Sequence, residues 1–122
     1  MSAPANKYRG QIILPFQGGD LLTVVDANAL RLYMEELGQS DISEALGEIQ
    51  SNPLDRVPRL LFHGHRNALY LGDDAEAKPM AWERFAAQCG QLDFQQVVQD
   101  TSAALELWAD SQKKAAAAPA AP

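Results

Sequence analysis

The first apolar positions of the chain show the pattern of a β-hairpin. Residues 8–16 are rich in β-branched and aromatic side chains, which favour strands, and Pro15 marks an edge strand or a strand end. Glycines at 18–19 supply the positive φ angles of a tight turn, and a second apolar run follows at 21–25. Because a two-stranded hairpin is marginally stable alone, we expect it to pack on helices.

Apolar positions at helical spacing follow, and they predict four or five helices over residues 26–112. The first helix is expected after a cap at Asp26 or Asn28. Gly38 is a natural end for it, because glycine takes the left-handed conformation without steric cost. Asp41 begins a sequence that resembles a capping box, so the second helix should start there.

A third helix carries the broadest apolar surface and is expected to be central. Its start is ambiguous: it begins at Pro53 and is kinked at Pro58, or it begins at Pro58 after one irregular turn, which is the start we favour. Gly64 either weakens this helix or lets another backbone approach closely. The helix is expected to end at Gly72.

Two more helices are expected, over residues 80–89 and from Asp93 onwards. The last has one apolar stripe, formed by Phe94, Val97, Val98, Thr101, Leu105 and Trp108. We expect Phe94, Val98 and Leu105 to pack inward. Residues 115–122 contain only alanine and proline, offer no side chains to bury, and are expected to be disordered.

Leu107 lies outside this stripe, about 220° from Phe94 on a helical wheel with 100° per residue. Ala104 lies to the same side and Trp108 at the border, so the apolar surface is wider than one core needs. A helical partner would use such a surface. We therefore predict that Leu107, Ala104 and Trp108 bind a partner. The alternative is that Leu107 is a lone exposed leucine, which is common on protein surfaces.

Length and composition agree with one α+β domain, because 122 residues are typical of a single domain. We expect a flexible N-terminus at 1–7, a domain at 8–114 and the disordered tail. No apolar run reaches the roughly 18 residues that span a membrane, and the N-terminus lacks the apolar stretch of a signal peptide. These patterns predict a cytoplasmic protein without a membrane partner.

The charge of the chain narrows the class of partner. With 16 acidic and 10 basic residues, the formal net charge is −6. Such a domain is repelled by phosphate backbones, because binding to them depends on clustered lysine and arginine. Nucleic acid is therefore excluded as an expected partner, whereas a basic protein is compatible with this charge.

No set of side chains predicts catalysis, a metal site or a cofactor. His63 and His65 point about 200° apart on a regular helix and cannot bind one ion together. Cys89 is the single cysteine, and no basic residue lies within four positions of it to stabilise a thiolate. The acidic residues after Gly72 lack the ligand spacing of a calcium loop. We expect a protein that is not an enzyme.

Five short motifs between residues 9 and 64 point to a known family. They are Arg9-Gly10-Gln11-Ile12, Gly18-Gly19-Asp20-Leu21-Leu22-Thr23-Val24, Asn28-Ala29-Leu30, Glu35-Glu36-Leu37-Gly38 and Pro53-Leu54-Asp55-Arg56-Val57-Pro58-Arg59-Leu60-Leu61-Phe62-His63-Gly64. With these motifs the chain resembles the tail assembly chaperones of long-tailed phages, particularly the small form of gene transfer agents and related prophages. The motifs specify turns and packing, and the remainder of the chain agrees only in being helical.

The resemblance implies a non-enzymatic role. Proteins of this family bind the long, helical tape measure protein and keep it soluble until tail tube subunits assemble around it. The family has no catalytic, cofactor-binding or metal-binding residues to carry over. Two alternatives stay open on the sequence alone. One is a structural adaptor of a phage particle that extends a neighbour's sheet with its hairpin edge. The other is a small acidic regulator or inhibitor of a host protein.

Overall fold

A computed structural model describes residues 10–72, 74 and 76–117, with side chains as far as residue 110. The described residues form a two-stranded antiparallel hairpin followed by five helices, which confirms the predicted α+β fold. The elements are β1 (Gln11–Phe16), β2 (Gly19–Val24), α1 (Ala27–Leu37), α2 (Ile42–Ser51), α3 (Pro53–Leu71), α4 (Trp82–Cys89) and α5 (Phe94–Ala117). The predicted flexible segment 1–7 lies outside the described residues.

The hairpin turn is tighter than the sequence predicts. Phe16 pairs with Gly19, so only Gln17 and Gly18 form the loop, and β2 begins two residues before the predicted start of the second strand. Gly18 has φ of 100°, which glycine adopts without steric cost. At the other end of the hairpin, the Val25 N–H donates to the Gly10 carbonyl at 2.8 Å.

Strand β2 packs on helix α3, and the two elements meet at Gly64. A Cβ atom at Gly64 would lie 3.1 Å from Val25 Cγ2, 3.3 Å from Thr23 Cβ and 3.5 Å from the backbone nitrogen of Val24. Both side chains are fully buried, so they have little room to move. Of the two interpretations of Gly64, close approach of another backbone is therefore the correct one.

A buried asparagine on α3 joins the end of β2 to the start of α1. Asn67 Nδ2 donates to the Val24 carbonyl at 2.9 Å and to Asp26 Oδ1 at 2.8 Å. Its Oδ1 accepts from Asn28 Nδ2 at 2.9 Å. Asp26 Oδ1 also accepts from the N–H groups of Asn28 and Ala29, so Asp26 is the cap of α1. The hairpin and the first helix are thus fixed to α3 by one side chain.

The start of α3 differs from the one we favour on the sequence. The helix begins at Pro53 and continues through Pro58, so the predicted start at Pro58 is wrong. Pro58 lacks the N–H that would bond to the carbonyl of Leu54, and this costs the helix one hydrogen bond. Leu54 is 74% exposed, so water reaches this turn and can solvate the carbonyl.

The inward face of α5 is rotated from the predicted one. Among the α5 side chains up to residue 110, Val97, Thr101 and Ala104 are buried, whereas Phe94, Val98 and Leu105 are only partly buried. Val98 and Leu105 still pack against the core from its margin, so the predicted inward face is correct in part, but its centre lies at Val97, Thr101 and Ala104. Small side chains at the centre let the helix approach the domain closely, and the larger ones fill the margins of the contact.

The end of α5 also lies beyond its predicted position. The helix runs to Ala117, so the prediction that residues 115–117 belong to a disordered tail is wrong. Alanine has the highest intrinsic helix propensity, so an alanine run continues a helix without needing tertiary contacts. The rest of the predicted tail, 118–122, lies outside the described residues.

Candidate partner-binding groove

An open groove of about 410 Å³ lies between α1, the start of α2 and α5. Five apolar residues line it: Ala27, Leu30, Met34, Ile42 and Trp108. Arg31, Glu35 and Gln39 complete the lining. A groove of this kind can accept the apolar face of an amphipathic helix, because burial of that face removes apolar surface from water.

Local sequence explains how the apolar side chains reach the groove. Ala27, Leu30 and Met34 follow one another at three- and four-residue spacing, so they share one face of α1. Ile42 is the first residue of α2 and remains 46% exposed. The preceding Asp41 fixes its position, because Asp41 Oδ1 accepts from the Ser43 and Glu44 N–H groups.

The two charged residues of the groove, Arg31 and Glu35, neutralise each other. Arg31 Nη1 lies 3.2 Å from Glu35 Oε2, and both side chains are mostly exposed. Such a surface ion pair contributes little to stability. The pair also adds no net charge to the α1 wall of the groove, so binding there depends mainly on apolar contact.

Of the three predicted partner-binding residues, only Trp108 lines this groove. Ala104 is completely buried, so the prediction that it contacts a partner is wrong. It is buried because α5 packs on the domain through this small side chain. Leu107 is partly exposed and does not belong to the lining of the groove.

Sequence reasoning did not identify Met34 and Ile42 as groove residues. They lie about 70 positions from Trp108 in the chain, and no local pattern connects them with it. In the sequence, the one feature that points to the groove is the position of Ile42. An isoleucine directly after a capping aspartate stands at an exposed helix end, where an apolar side chain contributes least to the core.

The two histidines have structural roles on opposite sides of α3, and both are buried. His65 Nε2 accepts from the Met80 N–H at 3.0 Å. His63 Nδ1 lies 3.2 Å from Arg66 Nη1, and its Nε2 lies 3.4 Å from Glu36 Oε2. Burial lowers the pKa of both imidazoles, so both are neutral near pH 7. The two imidazoles therefore contact different neighbours on different sides of the helix.

The thiol of Cys89 is expected to be unreactive in the folded protein. Cys89 is buried on α4, and burial raises the pKa of its thiol to about 12. The thiolate is the reactive form. At pH 8, a chromogenic disulfide reagent should therefore modify the native chain more than about a hundredfold more slowly than the chain in concentrated guanidinium chloride. Rapid and complete modification without denaturant would contradict this assignment.

Three observations complete the description of the site. Within residues 10–72, 74 and 76–117, no three His, Cys, Asp or Glu side chains come together as metal ligands. In the same part of the chain, no helix is both long and apolar enough to cross a membrane. Comparison with known protein families, with curated proteins and with solved structures finds no significant match to this chain.

Proposed function

We propose that this protein is a tail assembly chaperone without enzymatic activity, which holds a helical segment of the tape measure protein in the groove between α1 and α5. The observation that carries the proposal is the open apolar groove, to which Ile42 and Trp108 contribute from two different helices. The motifs between residues 9 and 64 support the choice of family. Neither argument depends on the other.

The groove suits a partner that is helical and apolar on one face. A tape measure helix exposes its apolar stripe before the tail tube encloses it, and exposed stripes of this kind cause aggregation. One copy of the chaperone covers a few turns of such a helix. Several copies bound along one long partner would gain from multivalency, so each single contact need not be strong.

The proposal includes a second partner and a place of action. The tail tube protein assembles around the tape measure while the chaperone is bound, and this takes place in the cytoplasm of the host cell. Neither nucleic acid nor a membrane takes part. The formal charge of −6 favours solubility of the complex. A structural adaptor would instead remain in the finished particle, so mass spectrometry of purified particles separates the two functions.

Replacing Ile42 with glutamate is expected to weaken binding to a tape measure fragment at least about tenfold. A charge in an apolar contact must lose its water, which costs about 1.4 kcal/mol or more, equivalent to a tenfold loss of affinity. Folding should not suffer, because Ile42 is exposed and an acidic residue in the first turn complements the helix dipole. Calorimetry with a fragment from the same phage or prophage measures the affinity.

Leu54→Glu is the matched control. Leu54 is also an exposed apolar residue in the first turn of a helix, but it lies at the start of α3 and does not line the groove. This variant should bind the fragment as the unmodified chain does. Equal affinities for Ile42→Glu and the unmodified chain would show that the groove is not the binding site.

A further inference from the structure

The two outer edges of the hairpin differ in what covers them. The Val25 N–H donates to the Gly10 carbonyl, and bonded pairs alternate along an antiparallel ladder. With the observed register, the backbone groups of Val24 and of Ile13 therefore point away from the partner strand. On β2 this outer edge is covered by α3, whose Asn67 Nδ2 donates to the Val24 carbonyl at 2.9 Å.

The outer edge of β1 has no such cover at Ile13. No hydrogen bond from the described residues reaches the Ile13 N–H or carbonyl. Pro15, which also faces outward, presents only its carbonyl. A cleft of about 260 Å³ separates this edge from the first turns of α5 and is lined by Ile12, Ile13, Leu14, Pro15, Leu92, Asp93, Gln96, Val97 and Asp100.

On the face of the hairpin that points away from the core, apolar side chains form a row that reaches the outer edge of β1. Ile13 is paired with Leu22 across the two strands, and Leu22 is 42% exposed. Side chains directly opposite each other in a sheet are in contact. A strand added beside β1 would place one of its own side chains next to Ile13 and so extend this row by one apolar residue.

The opposite side of the cleft carries negative charge. Asp100 on α5 and Asp93 directly before it line this side, and among the described residues neither forms an ion pair with a lysine or arginine. Asp93 Oδ1 accepts from the Gln96 N–H at 3.3 Å, and Asp100 Oδ1 accepts from Gln96 Nε2 at 3.0 Å. No cationic side chain among the described residues neutralises either carboxylate, so the cleft is complementary to a cation.

We propose that an extended, basic segment of a partner protein adds to the outer edge of β1 as a third strand. Successive side chains of a strand point to opposite faces. Apolar side chains of the segment continue the Leu22–Ile13 row, and the lysine or arginine side chains between them face Asp93 and Asp100. Main-chain hydrogen bonds to Ile13 provide affinity, as in other cases of strand addition.

A second copy of this chain is a poorer occupant of the cleft. Pairing of two β1 edges would bring two sets of Asp93 and Asp100 towards each other, on molecules that each carry a formal charge of −6. The cleft also shares no lining residue with the groove between α1 and α5. The two binding proposals therefore succeed or fail independently.

The test is a nuclear magnetic resonance titration of the full chain with a capped peptide of alternating valine and lysine. The Ile13 amide should shift and exchange more slowly with solvent as peptide is added. Affinity should fall as salt increases, because the aspartates contribute by charge. A peptide with proline in place of one central valine loses a backbone donor. It should bind at least about fivefold more weakly, and so should a peptide with glutamate in place of lysine.

Variants that remove the two aspartate charges test whether the peptide binds in the cleft beside β1. The double variant Asp93→Asn, Asp100→Asn should weaken binding of the valine–lysine peptide at least about fivefold, and asparagine still caps α5. The matched control is Asp41→Asn, Glu44→Gln, which makes the same change in net charge at the start of α2. The control should lose less than about twofold.

Three results would overturn the proposal. The first is a chemical shift response at Ile42 and Trp108 with none at Ile13. The second is an equal loss of affinity in the two double variants, because binding would then follow net charge alone. The third is a dimer in sedimentation experiments whose Ile13 amide is already protected without peptide, because a second copy would then occupy the edge.

Discussion

Asn67→Asp is expected to lower the free energy of unfolding by at least about 3 kcal/mol, because it places a buried carboxylate among acceptors. Asn67 is 1% exposed, and its Nδ2 serves both the Val24 carbonyl and Asp26 Oδ1. A carboxylate has no proton to donate to either group. It would also lie close to the partly buried Asp26 carboxylate, and two like charges at this distance repel strongly. Chemical denaturation at pH 7 measures the loss.

Asn52→Asp is the control for this substitution. Asn52 stands at the exposed start of α3 and makes no side-chain capping bond there. The same chemical change at this position should alter the free energy of unfolding by less than about 0.5 kcal/mol. Similar losses at the two positions would mean that the network around Asn67 does not stabilise the fold.

Gly10→Ala is expected to destabilise the fold as much as Asn67→Asp does, because the added methyl group clashes with the backbone. A Cβ atom at Gly10 would lie 2.2 Å from the Val25 carbonyl oxygen and 2.7 Å from its carbon. Both are backbone atoms, and Gly10 also has φ of 76°, where side chains are strained. The hairpin end must therefore open, so we expect a loss of about 3 kcal/mol or more in the free energy of unfolding.

Gly38→Ala is the control that separates the steric clash from the cost of a side chain at positive φ. Gly38 ends α1 with φ of 68°, and no atom lies within 4 Å of a Cβ built there. This variant should lose only the conformational part, about 1 kcal/mol. The difference between the two variants, measured by thermal or chemical unfolding, then gives the cost of the contact with Val25. Equal losses would show that the hairpin end relaxes without cost.

The parts of the fold that were predicted correctly are those with local physical signals. Gly38 and Asp41 mark helix boundaries because their own backbone or side chain satisfies the helix end, whatever lies around them. The glycines after Gln17 determine a turn in the same way. Signals of this kind need only a few neighbouring residues, so a single sequence contains them.

The parts that were predicted wrongly depend on distant neighbours. A helical wheel gives angles but not the direction of the core, so it predicts an accessible Ala104, whereas the structure buries this residue completely. The sequence offers two prolines as the start of α3, and only the exposure of the turn at Leu54 shows that the helix can begin at Pro53 and tolerate Pro58 inside it. The groove joins Ile42 to Trp108, so it exists only after α5 has packed beside α1.

The bond between Asn67 and Val24 joins residues 43 positions apart, and this separation has a consequence for the order of folding during synthesis. The hairpin is complete in the nascent chain long before α3, but its outer edge on β2 stays uncovered until Gly64 and Asn67 have left the ribosome. A two-stranded hairpin alone is marginally stable. The hairpin should therefore remain unfolded on the ribosome and fold only when the central helix α3 emerges.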